Sequence, residues 1–204
     1  REELSRGDYD AVTIVHNETS TGVMNPLAEI AEVVAEFPDV FLLVDAITSA
    51  GAVPIHFDEL PPIDYLVTGS QKALALPPGL ALLKVSERAL ERAEGIENRG
   101  MYFDVLAMHK SWKKHQTPST PTIALMQALK DRLQMILADE AAWFGGQLEK
   151  ANRVREWAKG SFQLFAEQGY ESVSLTCIDN SREISIADLN GFLREHGMFL
   201  SNGY

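Results

Sequence analysis

The chain has 204 residues, of which 46% are hydrophobic and 23% charged, and its 18 basic and 29 acidic side chains give a formal net charge of −11. This composition is ordinary for a globular protein and excludes a disordered chain. The acidic balance argues against nucleic-acid binding, which needs a basic patch. No apolar stretch approaches the roughly 20 residues that cross a bilayer, so we expect no membrane span.

The single cysteine, Cys177, rules out a disulfide framework within the chain and disfavours a multi-thiolate metal site. The segment Arg1–Asp8 is charged and lacks the apolar core of a secretory signal, so we expect a cytoplasmic enzyme. The sequence has no initiator Met and starts in a polar segment typical of a helix. We therefore also expect the chain to be part of a longer protein.

Short apolar runs alternate with one helical pattern in the first part of the chain. Ala11–His16 and Val40–Val44 have the apolar composition of buried strands, and the second is continuous enough to be buried on both faces. Between them, Asn25 and Pro26 have the character of an N-cap and a first helical residue. The helical spacing continues to Phe37.

Two further strands are predicted at Ile63–Thr68 and Gly79–Val85, followed by a helix that Ser86 caps and that runs to Ala93. Strands and helices that alternate at this spacing predict an α/β fold with a mostly parallel sheet.

The pattern changes after Gly95. Residues 95–119 have no clear periodicity, and a helical region from about 122 to 168 is predicted to be interrupted at Gly145-Gly146. Beyond it, Ser172–Ile178 alternates as a half-buried strand and Ile186–His196 forms an amphipathic helix. We place a boundary between a large α/β domain, residues 1–145, and a smaller α+β domain, residues 146–204.

Polar residues follow three of the predicted strands. Thr19, Ser20 and Thr21 come after the first, Asp45 ends the second, and Ser70-Gln71-Lys72 follows the third. Open α/β sheets bind ligands at the carboxyl ends of their strands, so these groups are predicted to meet at one site.

Lys72 precedes an apolar run, Ala73–Leu80, that only turn residues interrupt. Apolar surroundings favour a neutral amine, which is the form that Schiff-base chemistry requires. The alternative is a surface lysine at a strand-to-loop corner. Likewise, Asp45 is either a cap for the next segment or a partner for a cationic ring, and the Thr19–Thr21 hydroxyls either order a turn or bind a ligand.

The five histidines are scattered, and none lies at zinc-ligand spacing beside a third ligand, so no metal site is predicted. His16 is placed at a strand end beside the predicted site, where we expect a structural role. Cys177 is expected to be a small core residue rather than a nucleophile.

Taken together, several segments resemble the class V aminotransferases of fold type I, and in particular the alanine/serine–glyoxylate aminotransferase group. The resemblance extends through essentially the whole chain. Its segments are His16–Gly22, Val44–Ser49, Gly69–Leu74 with Pro77-Pro78-Gly79, Thr117–Pro121 and Leu200–Tyr204.

This resemblance implies pyridoxal 5′-phosphate (PLP) as the cofactor. It implies that Lys72 holds PLP as a Schiff base and later moves the substrate Cα proton, and that Asp45 pairs with the pyridine nitrogen. It also implies contacts from five other residues. Thr19 binds the phenolic oxygen, Ile47 packs on the ring, Gln71 contacts the phosphate or the ring edge, and Thr120, with Thr117, reaches the phosphate of the other subunit in a homodimer.

The resemblance implies a large domain of the PLP-transferase fold type I, a three-layer α/β/α structure, and the start of a small α+β domain. It implies transfer of an amino group from alanine or serine to a 2-oxo acid such as glyoxylate. The family's phosphate cup, ring-stacking aromatic residue and substrate-binding arginine are not found in this sequence. Three alternatives remain: phosphoserine aminotransferase-type activity, cysteine desulfurase activity, and a fold-only protein without catalysis. Gln71 in place of a histidine before Lys72 disfavours the desulfurase.

Overall fold

A computed structural model describes residues 1–57, 59–61 and 63–199 of the chain. The strands are β1 (Ala11–Val15), β2 (Asn17–Glu18), β3 (Val23–Met24), β4 (Phe41–Asp45), β5 (Tyr65–Gly69), β6 (Ala81–Val85), β7 (Gln163–Leu164) and β8 (Ile178–Asp179). The helices are α1 (Leu27–Ala35), α2 (Glu87–Glu94), α3 (Val105–Trp112), α4 (Ile123–Ala138), α5 (Glu140–Lys159) and α6 (Ile186–Glu195), with one 3-10 turn at Leu4–Arg6.

Four strands form the main sheet in the order β1-β4-β5-β6. The pairs β1–β4 and β4–β5 are parallel, and β6 is antiparallel to β5. The predicted α/β fold with a mostly parallel sheet is therefore confirmed. The antiparallel β6 follows from a tight turn after Lys72, because a parallel neighbour would need a longer crossover.

The core lies between the sheet and α1. On α1, Leu27, Ala31 and Val34 are spaced for one helical face, and they pack on Leu42 and Val44 of β4. A fully buried leucine or valine stabilises the fold by about 1.5–3 kcal/mol. The other face of β4, with Phe41 and Leu43, is only half-buried, so the prediction of a strand buried on both faces was wrong for the described residues.

Several helix boundaries differ from the sequence-based predictions. Pro26, not Asn25, is the N-cap of α1, because the Asn25 amide donates a hydrogen bond to the Val15 carbonyl at 2.7 Å instead. The region 95–119 contains α3, whose N-terminus is capped by Asp104. No α3 residue is buried, so the helix does not need the regular spacing of apolar residues by which helices are predicted from sequence.

The long helical region is interrupted at Asp139, and the prediction of a break at Gly145-Gly146 was wrong. The Asp139 backbone is not helical, with φ −157° and ψ 80°, and its carboxylate accepts a hydrogen bond from Ala142 N at 3.0 Å, which starts α5. The two glycines lie inside α5. The predicted domain boundary near residue 145 stays a prediction.

Most of the predicted strand Ser172–Ile178 is irregular. Ser172 N donates to Gly22 O, and Ser174 N and Leu175 N donate to the Ser172 hydroxyl instead of to a neighbouring strand. The predicted helix at 186–196 is confirmed as α6, with Ser185 as its cap. The segment Leu200–Tyr204, part of the resemblance, lies outside the described residues. Among the helices of the described ranges, none has the length and apolar character of a membrane span.

An ion pair between a buried carboxylate and a partly exposed arginine fixes the amino-terminal side of β5. Asp64 is fully buried, and its carboxylate accepts hydrogen bonds from Leu42 N, Ser86 Oγ and the Arg88 guanidinium. Arg88 also donates to the carbonyl of Val40 and lies over the Phe41 ring. Burial opposes ionisation of Asp64, but these hydrogen bonds outweigh it and hold the pKa of the carboxyl below its usual value.

We expect Arg88→Ala to lower the free energy of unfolding by about 3 kcal/mol at neutral pH, because it leaves a buried carboxylate without its cation. Urea unfolding followed by circular dichroism measures the change. Because the folded pKa of Asp64 is depressed, the advantage of the wild type is present above the unfolded pKa of about 4. It is lost as the pH falls through the folded pKa.

Arg92→Ala is the matched control, since Arg92 lies on the same helix and its contact with Asp10 is 3.9 Å long and exposed to solvent. Equal destabilisation by the two substitutions would contradict a special role for the buried pair.

Candidate active site

Three strands of the main sheet end side by side at one edge. In the parallel register, Val15 of β1 lies opposite Asp45 of β4, and Asp45 lies opposite Val67 of β5. The ladder continues past the strands, with His16 N donating to Asp45 O and Ala46 N to Val67 O, both at 2.9 Å. Neighbouring strands are about 4.8 Å apart, so the loops that follow them share a small space.

The side chain of Asp45 is fixed by the backbone that follows it. Its Oδ1 accepts a hydrogen bond from Ile47 N at 2.9 Å, an Asx turn that sets the direction of the carboxylate. Oδ2 receives no hydrogen bond from any described residue. Asp45 is half-buried, so one carboxylate oxygen is available to a group that approaches the edge.

The loop after β1 meets the loop after β4 through two hydroxyl groups. Thr19 Oγ1 lies 2.7 Å from Thr48 Oγ1, and Thr48 is 6% exposed. Thr48 was not among the site residues predicted from the sequence. Its position three residues after Asp45 was the available signal, but a threonine in a turn is too common to single out. If Thr48 donates this hydrogen bond, the Thr19 proton is free for a ligand.

Ser70, two residues before Lys72, is fixed by several hydrogen bonds. Ser70 is fully buried; its Oγ donates to Pro77 O at 2.7 Å and accepts from Leu80 N at 3.3 Å. The Lys72 carbonyl accepts a hydrogen bond from Ala75 N at 2.8 Å. The Lys72 side chain is half-buried, and within the described ranges its amine has neither a hydrogen bond nor an ion pair.

A second contact, between Leu74 and Gly51, also fixes the Lys72 loop. Leu74 is buried and packs closely on Gly51, where a Cβ would come within 3.0 Å of the leucine. Gly51 has φ +86°, a conformation that favours glycine. Its carbonyl accepts a hydrogen bond at 2.8 Å from the indole of Trp143 in α5. The loops that carry Asp45 and Lys72 are therefore packed together.

Gln71 folds back over the end of β5. A Cβ on Gly69 would lie 2.4 Å from the Gln71 Oε1 atom, so the amide occupies the space that a side chain would fill. Gly69 has the same strand parity as Val67, which pairs with Asp45. Alternate residues of a strand share a face, so Gln71 covers the face of the sheet on which Asp45 lies.

Several polar atoms near this edge are buried without a partner among the residues that the structure describes. They are His16 Nδ1, Ser49 Oγ and Thr68 Oγ1. Burial lowers the pKa of the His16 imidazole, so the ring is neutral. Buried groups of this kind normally find a hydrogen-bond partner, and their presence at the carboxyl ends of the strands favours a polar ligand.

Thr117 and Thr120 are not brought to this edge. Both lie in the exposed turn between α3 and α4, where Thr117 Oγ1 donates to Ser119 O at 2.6 Å. Their predicted contact with the site of another subunit stays a prediction. Cys177 lies just before β8 with its Sγ 3.6 Å from Ser20 O. Burial, together with the nearby Asp179, raises the pKa of its thiol.

The model of the class-V aminotransferases matches residues 1–204. An uncharacterized aminotransferase of Methanocaldococcus jannaschii is 40% identical over 191 residues, which are 91% of this chain and 49% of that protein. The serine–glyoxylate aminotransferase of Methylorubrum extorquens is 34% identical over 148 residues, which are 68% of this chain and 37% of that protein.

The crystal structure of an alanine–glyoxylate aminotransferase from Nostoc sp. superposes with a TM-score of 0.88 at 27% identity, over 100% of this chain and 55% of that one. The chain thus spans about half the length, or less, of the proteins that it matches. Its fold is that of the PLP transferases of fold type I. Sheet, site loops and family match lead to one conclusion: the chain belongs to the class-V aminotransferase family.

Proposed function

We propose that the protein is a cytoplasmic, PLP-dependent aminotransferase that moves the amino group of alanine or serine to a 2-oxo acid such as glyoxylate. The observation that carries the proposal is the convergence of Asp45, Thr19 and the Lys72 loop at one sheet edge in a member of the class-V family. The names of two relatives, a serine–glyoxylate and an alanine–glyoxylate aminotransferase, support the substrate class.

The residues at the edge have the donors and acceptors that PLP needs. Among the described residues, none donates a hydrogen bond to the second carboxylate oxygen of Asp45, and none forms a hydrogen bond or an ion pair with the Lys72 amine. Thr19 has a hydroxyl whose partner, Thr48, is able to donate. PLP carries a ring nitrogen, a phenolic oxygen and an aldehyde, one for each of these three side chains. PLP, when bound, withdraws electrons from the substrate Cα and stabilises the carbanion there.

Lys72 has two tasks in this proposal. Its amine would hold the cofactor covalently when no substrate is bound. With substrate bound, the same amine would accept the proton from the substrate Cα as a general base. The hydrogen bonds of Ser70 fix the start of the loop that carries this amine.

Asp45 and Thr19 would bind two polar positions of the ring. The Asp45 carboxylate would keep the ring nitrogen protonated, and its Asx turn with Ile47 would fix the direction of that interaction. Thr19, oriented by Thr48, would donate to the phenolic oxygen. The Ile47 side chain would pack on one face of the ring and exclude water from it.

Gln71, Thr117 and Thr120 complete the proposed cofactor contacts. Gln71 contacts the phosphate or the ring edge from its place above Gly69. Thr120, with Thr117, reaches the phosphate of the other subunit in a homodimer, which agrees with their exposure in this chain. Residues 1–145 form the large domain of each subunit, and residues 146–204 belong to the small one.

The desulfurase alternative is not favoured, because it needs a reactive thiolate and the Cys177 thiol has a raised pKa. An amino-transfer assay distinguishes the proposed activity from phosphoserine aminotransferase-type activity and from a fold without catalysis. Phosphoserine, serine and alanine are offered as donors, with glyoxylate and 2-oxoglutarate as acceptors. A protein that stays colourless with added PLP and moves no amino group would refute the proposal.

We expect Lys72→Ala to abolish covalent attachment of PLP and to lower kcat by about 10³-fold or more, because the amine both holds the cofactor and moves the proton. The visible absorbance that borohydride removes from the wild type reports attachment, and mass spectrometry locates the reduced adduct. An alanine–glyoxylate assay measures turnover.

The matched control is Lys130→Ala, which removes an exposed lysine of α4. Far-UV circular dichroism is expected to be unchanged for both variants. A Lys72→Ala protein that still forms the borohydride-sensitive adduct would show that another lysine holds the cofactor.

We expect Asp45→Asn to retain the adduct on Lys72 but to lower kcat by about 10²-fold or more, because an amide does not stabilise the protonated ring nitrogen. Steady-state kinetics with alanine and glyoxylate measure the loss. Asp8→Asn, an exposed acid near the N-terminus, is the control. Unchanged kcat in Asp45→Asn would place the ring nitrogen elsewhere.

A further inference from the structure

Thr19 lies in a hairpin that is too small to be stable by itself. The hairpin consists of β2 and β3, whose register pairs Asn17 with Met24 and Glu18 with Val23. Two strands of two residues each do not form an independent structure in water. The position of Thr19 therefore depends on what packs against the hairpin.

A distant segment of the chain, residues 170–177, provides this packing and is called the clamp segment below. Its Tyr170 carbonyl accepts a hydrogen bond from Met24 N at 2.7 Å, and its Ser172 N donates to Gly22 O at 2.8 Å. Val23 and Glu171 also form an isolated antiparallel bridge. The clamp segment thus acts as a third strand along the hairpin.

The centre of this contact is a buried polar pair. Ser172 is 1% exposed and Asn17 is 3% exposed. The Ser172 hydroxyl donates to Asn17 Oδ1 and accepts hydrogen bonds from Ser174 N at 3.1 Å and Leu175 N at 3.3 Å. Because the pair is buried, loss of the hydroxyl leaves the Asn17 carbonyl oxygen without a donor and without water.

Helix α5 also holds the clamp segment through hydrogen bonds. Arg155 donates through Nη2 to the carbonyls of Glu171 and Ser172 at 3.0 and 2.7 Å. Ser172 is therefore fixed by its backbone, and its hydroxyl points at a residue two positions before Thr19.

We propose that Ser172 is a positioning residue for the proposed aminotransferase reaction. Through Asn17 it holds the β2–β3 hairpin, so that Thr19 stays 2.7 Å from Thr48 and faces the cofactor's phenolic oxygen. This inference rests on the proposed function. Ser172 touches no reacting atom in it and acts only through Asn17 and the hairpin.

The first test needs no cofactor. Amide hydrogen exchange of cofactor-free protein is followed by mass spectrometry in the peptide that contains residues 17–24. Ser172→Ala is expected to speed exchange in this peptide by about tenfold, the change that corresponds to loss of one buried hydrogen bond. Ser172→Thr, which keeps the hydroxyl, is expected to restore slow exchange. Asn17→Ala removes the acceptor of the same bond and gives a second route if threonine does not fit.

The second test uses the holoenzyme and Thr19→Val. The visible absorption of the cofactor bound to Lys72 is titrated with pH. Thr19→Val is expected to shift the midpoint by roughly half to one pH unit, as for a lost hydrogen bond to the titrating group. Ser172→Ala is expected to shift it in the same direction, and the double variant no further than Thr19→Val alone. Ser181→Ala, an exposed serine, is the control in both tests.

Faster exchange together with a non-additive shift of the midpoint supports the proposal. Unchanged exchange in Ser172→Ala overturns it. Faster exchange with an unshifted midpoint also overturns it, because Ser172 then supports the fold alone. If the wild-type protein has no borohydride-sensitive band, the proposed function is refuted, and the positioning role with it. If the wild-type band is normal but Ser172→Ala does not shift its pH midpoint, only the positioning role is refuted.

Discussion

The hydrogen bonds on both sides of the carboxyl end of β4 set the register of the three strands whose ends form the candidate site. His16 N bonds to Asp45 O, and Ala46 N bonds to Val67 O, so three strands end in register. A slip of one residue in any of them would turn its side chains to the other face of the sheet. The carboxylate of Asp45 would then face α1 and the apolar core, where an ionised group is unstable without a partner.

Two further contacts fix the loops that follow these strands. Thr19 meets Thr48, and Leu74 packs on Gly51, so the loops after β1, β4 and β5 are fixed to one another as well as to the sheet. The catalytic groups of the proposal are therefore carried by loops whose own backbones are hydrogen-bonded. Such pre-organisation lowers the entropic cost of aligning the reacting groups.

The sequence predicted the strands of the main sheet and several of the polar side chains at their carboxyl ends. The runs Ala11–His16 and Val40–Val44 are short and apolar, and polar residues follow them at once, so strand positions and the convergence of Asp45 with Thr19 were predictable. Local sequence did not predict α3, which buries no residue, or the break at Asp139, which depends on a single capping carboxylate. It also did not predict that the segment around Ser172 would leave its expected strand for the hairpin near Thr19, because that pairing joins residues 155 positions apart.

Charged groups lie at both ends of strand β5. Asp64, which pairs with Arg88 of α2, immediately precedes the strand, and the Lys72 loop follows it. Five residues of strand extend over about 16 Å. Sites at that separation contribute almost additively to free energies, so substitutions that strengthen the fold at one end leave the charge environment at the other nearly untouched. Mutations near Asp64 are thus able to change the stability of the fold without changing the reactivity of the Lys72 loop at the opposite end of the same strand.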